Sequence, residues 1–229
     1  TYADDVIQTA HGIYFLMDDA AVGGSYVVKL NEQGDTLWSK SFNEKGWFFD
    51  IISTFDNNLV LFGSSTLNSI GDSGNADYII LKIKPNGDTV WSKTYGDIGV
   101  DYGFSIKETS DGGFIMGGAS YSYDINDYRD ALIIKTDKNG NIEWTKTYGS
   151  NYDDVCNSII ETADKGFILT GFSNGYDATD QVLVIRTDNK GNEIWSETFL
   201  SSASGYIIIN TTDGNYLIAA NNNDDISLI

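Results

Sequence analysis

Eight aspartates, Asp101, Asp124, Asp127, Asp130, Asp153, Asp154, Asp177 and Asp180, fall in segments rich in Gly, Ser and Asn that lie between apolar runs. Oxygen-rich clusters of this kind fit three chemistries. They hold Ca²⁺, which takes several oxygen ligands; they supply the carboxylate pair of a glycosidase; or they keep a loop face hydrated. Aromatic residues are interleaved with them: Trp47, Phe48, Tyr102, Tyr121, Tyr123, Tyr128, Tyr152 and Tyr176. Rings beside carboxylates suit carbohydrate or protein surfaces, where the rings stack and the polar groups orient. Trp47, Asp101, Tyr102, Asp154 and Tyr176 are therefore the candidate ligand-binding residues. Asp101 and Asp154 are also the carboxylates for the alternative of a glycoside hydrolase or lyase. Only Lys45 and Arg129 oppose the acids in these segments.

Other catalytic chemistry has little to work with. His11 is the single histidine and sits in a turn, which disfavours a Ser-His-Asp or Cys-His site. Cys156 is the single cysteine, so an intrachain disulfide is impossible, and a small buried apolar role is expected for it. A His/Cys cluster of zinc type is absent from the sequence. The glycines follow strand-turn-strand logic and open no helix, so no phosphate cradle is expected. The segment Asp137–Asn141 mimics the start of a calcium loop but lacks the closing Glu, and reads as a hairpin turn. No organic cofactor is implied, and Ca²⁺ is the one ion that the acids suggest. The net charge of −19 excludes the usual nucleic-acid binder, which concentrates Lys and Arg on one surface. No run approaches the length of a membrane-spanning helix.

The elements that must position these residues are repeated. Trp38, Trp91, Trp144 and Trp195 recur 51 to 53 residues apart, each inside a segment such as KIKPNGDTVWSKTYG or KTDKNGNIEWTKTYG. A second signature alternates with the first: TFDNNLVLFG, TSDGGFIMGG, TADKGFILTG and TTDGNYLIAA, with TAHGIYFLMD at the start. Each period predicts four short strands, of which the near-continuously apolar YIILKI or ALIIKT is buried on both faces. Asn86-Gly87 and Asn139-Gly140 are strong hairpin signals because both residue types tolerate positive φ. In DTVWSKTY, Trp91, Lys93 and Tyr95 alternate with Val90, Ser92 and Thr94, giving a large aromatic face and a small hydroxyl face. The large face of one sheet is expected to fill the small face of the next, with the four tryptophans as docking residues.

These features predict an all-β, five-bladed β-propeller of four-stranded antiparallel blades, in a single domain spanning residues 1–229. The expected repeats cover 26–77, 78–130, 131–180 and 181–225, with a closing blade shared between 1–25 and 226–229. A fragment of a longer propeller is the alternative. Because the chain opens inside a repeat, a processed or trimmed chain is expected. Lys29, Lys82, Lys135 and Arg186 would lie on the first, innermost strand. They would pair there with acids such as Glu108 and Glu161, or else form a positive ring that holds an anion.

The repeat K-T-D-x-x-G-x-x-x-W-x-K-T-Y-G, followed by D-D-Y and T-x-D-G-G-[FY]-I, resembles that of secreted or surface-anchored bacterial and archaeal β-propeller-repeat proteins. The resemblance covers essentially the whole chain. The fourth copy departs from it with Glu197 in place of Lys, and the first with His11 in place of the turn Asp. A fainter similarity links the Trp after a D…G turn to quinone-enzyme propellers. The resemblance implies the fold and an extracellular or cell-surface location. The function expected is a non-enzymatic binding or structural module whose acidic, aromatic-bearing loop face meets a glycan or protein partner. The alternatives are the carbohydrate-active enzyme and a subunit of an extracellular assembly completed by strand exchange.

Overall fold

The structure, a computed structural model, describes residues 3–18, 24–42, 45–65, 76–122, 128–174, 179–222 and 225–228. The calls on Tyr123, Asp124, Asp127, Tyr176 and Asp177 lie outside those residues. All nineteen described elements are strands, and they form five antiparallel sheets. Among the described residues no helix is long and apolar enough to cross a membrane. The chain divides into two compact units, Thr1–Gly103 and Phe104–Ile229.

In the first unit, β1 (Ala3–Thr9), β2 (Gly12–Asp18), β3 (Ser25–Leu30) and β4 (Thr36–Ser41) form one sheet. The next sheet contains β5 (Gly46–Ser53), β6 (Leu59–Ser65), β7 (Tyr78–Ile83) and β8 (Thr89–Tyr95). Tyr14, Leu16 and Val27 from the first sheet pack on Ile51, Leu59, Leu61 and Leu81 of the second. Burial of aliphatic and aromatic side chains of this size contributes roughly 1.5–3 kcal/mol each.

The second unit takes in β9 (Asp101–Glu108), which begins three residues before the boundary, with β10 (Phe114–Ser120), β11 (Asp130–Thr136) and β12 (Ile142–Tyr148). It continues with the sheet β13 (Asp154–Glu161), β14 (Phe167–Asn174), β15 (Asp180–Thr187) and β16 (Glu193–Ser201). The last sheet has three strands: β17 (Ala203–Asn210), β18 (Tyr216–Asn222) and β19 (Asp225–Leu228). One core joins Ile115 and Ile133 to Ile159, Leu169 and Leu183; another joins Val182 and Val184 to Ile208 and Ile218.

The pairing corrects the phase of the expected repeats by two strands. The strands YIILKI and ALIIKT are third in their sheets, and the Trp strand is the fourth, an exposed edge. Residues 3–18 pair within the first sheet, and β19 pairs with β18, so β1 and β19 do not share a closing sheet. The physical reason is that antiparallel pairing continues across the long connections, as between β6 and β7. The short stretch 96–100 instead carries the chain from one sheet to the next. On the apolar third strand β7, Ile79, Leu81 and Ile83 are buried by packing against the neighbouring sheet's Tyr14, Leu16 and Val27.

The docking expectation is corrected in part. The alternation on β12 is as expected, with Trp144, Lys146 and Tyr148 more buried than Thr145 and Thr147. The hydroxyl face, however, faces solvent, and the indole finds a different seat. A Cβ on Gly191 would stand 2.8 Å from the Trp144 ring, and one on Gly87 would stand 3.3 Å from Trp38. Both glycines have positive φ, so the β7–β8 and β15–β16 turns supply the notch for the preceding sheet's indole. The Tyr148 hydroxyl donates to the Gly191 carbonyl at 2.6 Å and completes the seat. Trp91 is half-buried, whereas Trp195 is 42% exposed. The sheet after Trp195 is three-stranded and presents no such turn among the described residues.

Candidate functional site

Each antiparallel sheet has a turn end, with the β1–β2 and β3–β4 type hairpins, and a loop end, with the longer connections. At the turn end the T-x-D motif closes on itself. The Thr109 hydroxyl donates to Asp111 at 2.6 Å, and the Gly113 N–H donates to the same carboxylate oxygen at 2.8 Å. Lys135 reaches down from β11 and donates to Asp111 and to Glu143, both at 2.9 Å. Lys82 pairs with Asp56 at 2.8 Å, and Arg186 pairs with Asp164.

The expected partners, Glu108 and Glu161, are thus replaced by the turn aspartates, and the bases sit on the third strands of their sheets. Glu161 accepts instead from the Ser110 N–H and hydroxyl, both at 2.9 Å. A register shift follows the base in every copy, Lys29, Lys82, Lys135 and Arg186, and directs its side chain toward the turn. In the first sheet, where His11 replaces the Asp, Lys29 donates to the Pro85 carbonyl of the neighbouring sheet at 3.2 Å. The Asp137 carboxylate accepts the N–H groups of Asn139 and Asn141, both at 2.8 Å, so its oxygens serve the hairpin.

The loop end uses its acids differently. Asp101 and Asp154 are buried at the starts of β9 and β13, not displayed at the surface. Asp101 accepts the Asp97 N–H at 3.2 Å, and Asp154 accepts the Ser150 N–H at 2.6 Å and its hydroxyl at 3.0 Å. Both therefore brace the connection that precedes them. The glycine of K-T-Y-G fits this arrangement, since a Cβ on Gly149 would meet Asp130 at 2.0 Å. Tyr102 is exposed beside Asp101, and Trp47 is half-buried on β5.

Arg129, read in the sequence as a counter-charge, organises a cluster in the second unit. Its Nη2 donates to Asp153 Oδ2 at 2.7 Å and its backbone N–H donates to Oδ1 at 2.8 Å. The guanidinium lies 6.0 Å from the Tyr121 ring and 5.6 Å from the Phe172 ring. Among the described residues its Nε is buried with no hydrogen-bond partner. Tyr128 and Tyr152 meet edge to face at 5.6 Å alongside it, and Tyr121, Tyr128 and Tyr152 all reach solvent.

Burial works to raise the Asp153 carboxyl, but the hydrogen bonds and charge of Arg129 outweigh it and hold Asp153 below the usual range. Asp153 therefore stays an ionised acceptor. Its neighbour Asp154 is pushed upward, chiefly by burial. Asp180, whose charge acts on Arg129, lines a recess of about 410 Å³ with Thr179, Ser204, Tyr206 and Asn221. Phe172 was missed from sequence because it lies near the end of an otherwise apolar strand. Arg129 could have been singled out as a lone base flanked by Tyr128 and Asp130.

Among the described residues no grouping of three or more His, Cys, Asp or Glu side chains could hold a metal ion. Cys156 is fully buried, and burial pushes its thiol far above the ordinary range, so it is an inert core side chain.

No protein-family model and no curated protein matches the chain. Solved structures do. A protein of unknown function from Bacteroides caccae aligns with a TM-score of 0.60 at 10% identity, over 94% of this chain and 71% of that one. The Neurospora crassa Pan2 WD40 domain aligns with a TM-score of 0.59 at 11% identity, over 99% and 74%. The chain is a five-bladed β-propeller. A thermostable family-43 glycoside hydrolase also aligns with this propeller, with a TM-score of 0.54 at 14% identity over 94% and 82%. At such identities the likeness extends to the fold.

Proposed function

We propose that this propeller is a non-enzymatic binding module that works outside the cytoplasm and holds a glycan at its loop end. The observation that carries the proposal is the Arg129 cluster. A fixed guanidinium with an unused buried Nε, an ionised Asp153 and three solvent-reaching tyrosines lie together beside an open recess. Sugar rings stack their C–H faces on tyrosine, while their hydroxyl groups need a donor and an acceptor held in fixed positions. Arg129 and Asp153 supply the pair. The extracellular placement rests on the repeat resemblance and on the acidic, well-solvated composition.

Glycan-array binding followed by calorimetry on the wild-type protein, Arg129→Ala and Tyr128→Ala tests this. Binding by the wild type that falls at least tenfold in Arg129→Ala is expected, without dependence on added calcium. Equal binding by wild type and Arg129→Ala, or none by the wild type, overturns it.

One observation favours a second reading, a carbohydrate-active enzyme: adjacent Asp153 and Asp154 have their ionisation pushed in opposite directions. Such divergence is how acid and base roles are assigned. The hydrogen bonds from Ser150 that already occupy Asp154 weigh against it. Turnover of a polysaccharide panel by wild type, lost in Asp154→Asn with binding retained, would favour the enzyme.

A further inference from the structure

Within each unit a turn of one sheet rests on a turn of the next, and the two units fill that contact differently. In the second unit the β9–β10 turn meets the β13–β14 turn. Glu161 accepts the Ser110 N–H and hydroxyl there, both at 2.9 Å, and Lys165 Nζ donates to the same hydroxyl at 2.8 Å. A carboxylate and an ammonium from one sheet thus close on the turn of the other.

In the first unit the T-x-D signature and the strand pairing set the equivalences. Ala10 holds the place of Ser110, and Ser53, paired with Leu59 as Glu161 is with Phe167, holds the place of Glu161. Asn57 holds the place of Lys165: each donates its N–H to the carbonyl of the turn Thr and has positive φ, 61° and 69°. Both charged side chains are therefore replaced by short neutral ones. A recess of about 150 Å³ opens here, with Ala10, His11, Ser53, Asn57, Leu59 and Pro85 among its walls. Among the described residues the Ala10 N–H, the His11 ring and the Asn57 amide have no hydrogen-bond partner. Lys29 stands at the Tyr14–Pro85 wall, its Nζ 3.2 Å from the Pro85 carbonyl and 5.1 Å from the Tyr14 ring, with no carboxylate partner among the described residues. Both acids that hold Lys135 are missing from this copy, where His11 and Leu37 take the places of Asp111 and Glu143. Asp56, the acid of the facing turn, is already paired with Lys82 at 2.8 Å.

We propose that this recess binds a short-chain aliphatic carboxylate, which supplies from outside the group that Glu161 supplies from within the second unit. Its oxygens accept the Ala10 N–H and an N–H of His11 or Asn57, and Lys29 furnishes the counter-charge. Such bonds are of the stronger, charge-assisted kind. Imidazole carries at least one N–H donor in either protonation state, so His11 serves in both. The hydrocarbon end lies on Leu59 and Pro85, as in small-molecule sites that combine an apolar lining with a few placed polar groups. The site lies at the turn end of the first unit and does not depend on glycan binding at Arg129.

Propionate is the direct probe, because it has the carbon skeleton of the missing Glu side chain. Propionate, propionamide and sulfate are titrated into the wild-type protein, Ser53→Glu and Lys29→Met, and followed by amide NMR. In the wild type propionate is expected to shift the Ala10 and Asn57 signals saturably, and propionamide and sulfate to leave them in place. Lys29→Met should weaken propionate binding about tenfold, as expected for a lost bond to a charged group. Ser53→Glu brings its own carboxylate to the recess, so its Ala10 signal should be shifted from the start and respond no further. Ser53 is exposed, so this variant carries the test if Lys29→Met fails to fold. No saturable response of the wild type to propionate overturns the proposal. An equal response to propionamide or sulfate also overturns it, as does undiminished propionate binding in Ser53→Glu.

Discussion

The turn end and the loop end of the sheet β9–β12 use their charged side chains in opposite ways. At the turn end every carboxylate is committed. Asp111 takes Lys135, the Thr109 hydroxyl and the Gly113 N–H, and Asp137 takes the N–H groups of its own hairpin. At the loop end Arg129 has one carboxylate partner, two aromatic faces and a buried nitrogen left over. Both ends share the same strands. Sequence-repeated polar groups hold the sheet together, and sequence-variable ones leave hydrogen-bonding capacity for a ligand.

The contrast breaks most visibly if the turn end is cut. Asp111→Ala should lower unfolding free energy by about 3 kcal/mol in urea titration, because the buried Lys135 ammonium keeps only Glu143 as a carboxylate partner. Asp213→Ala is the control. Its carboxylate is exposed and bonded to Thr211 and Asn215, and the urea midpoint should move far less than in Asp111→Ala.

Gly191→Ala comes next, at about 2 kcal/mol by thermal or urea unfolding. It forces a positive φ of 73° on a residue with a Cβ and presses that carbon on Trp144. Trp144 fluorescence should shift with it.

Acid sharpens the comparison further. The turn carboxylates Asp56 and Asp111 are raised by burial, but their hydrogen bonds and lysine partners more than offset this and hold both at about 2, against 3.8 when unfolded. Their stabilisation is complete above pH 3.8 and is lost as pH falls from there through about 2. The urea midpoint should fall across that window, and less steeply in Asp111→Asn. The smallest effect on stability is expected at the loop end, where Arg129→Ala should cost no more than about 1 kcal/mol while binding is lost.

The repeat, the four-strand unit and both turns were legible in sequence because each rests on local chemistry. Asn-Gly pairs set hairpins, and Thr and Asp two residues apart close a turn. The phase of the sheets was not. The connection 121–129 and the connection 149–153 both join one hairpin to the next, and only pairing of β10 with β11 shows which one stays inside a sheet. Partner choice for the bases failed for a related reason. The sequence suggests Glu108 and Glu161 as nearby acids, whereas the register shift beside Lys135 and Arg186 turns these bases toward Asp111 and Asp164. At the site, Asp153, Tyr121, Tyr128 and Tyr152 stood out by type. Their convergence on Arg129 depends on Phe172 and on the backbone bond from the Asp154 N–H to the Arg129 carbonyl, which no spacing reveals.

The substitution of His11 for the turn aspartate has a further consequence. Lys82, Lys135 and Arg186 find an acid within their own sheet, so those modules are fastened as soon as their four strands exist. Lys29 and the Tyr14 hydroxyl instead both donate to the carbonyl of Pro85, in the hairpin between β7 and β8. During synthesis the β1–β4 module therefore remains unlatched until more than fifty residues beyond Lys29 have emerged, and it depends on its neighbour to finish.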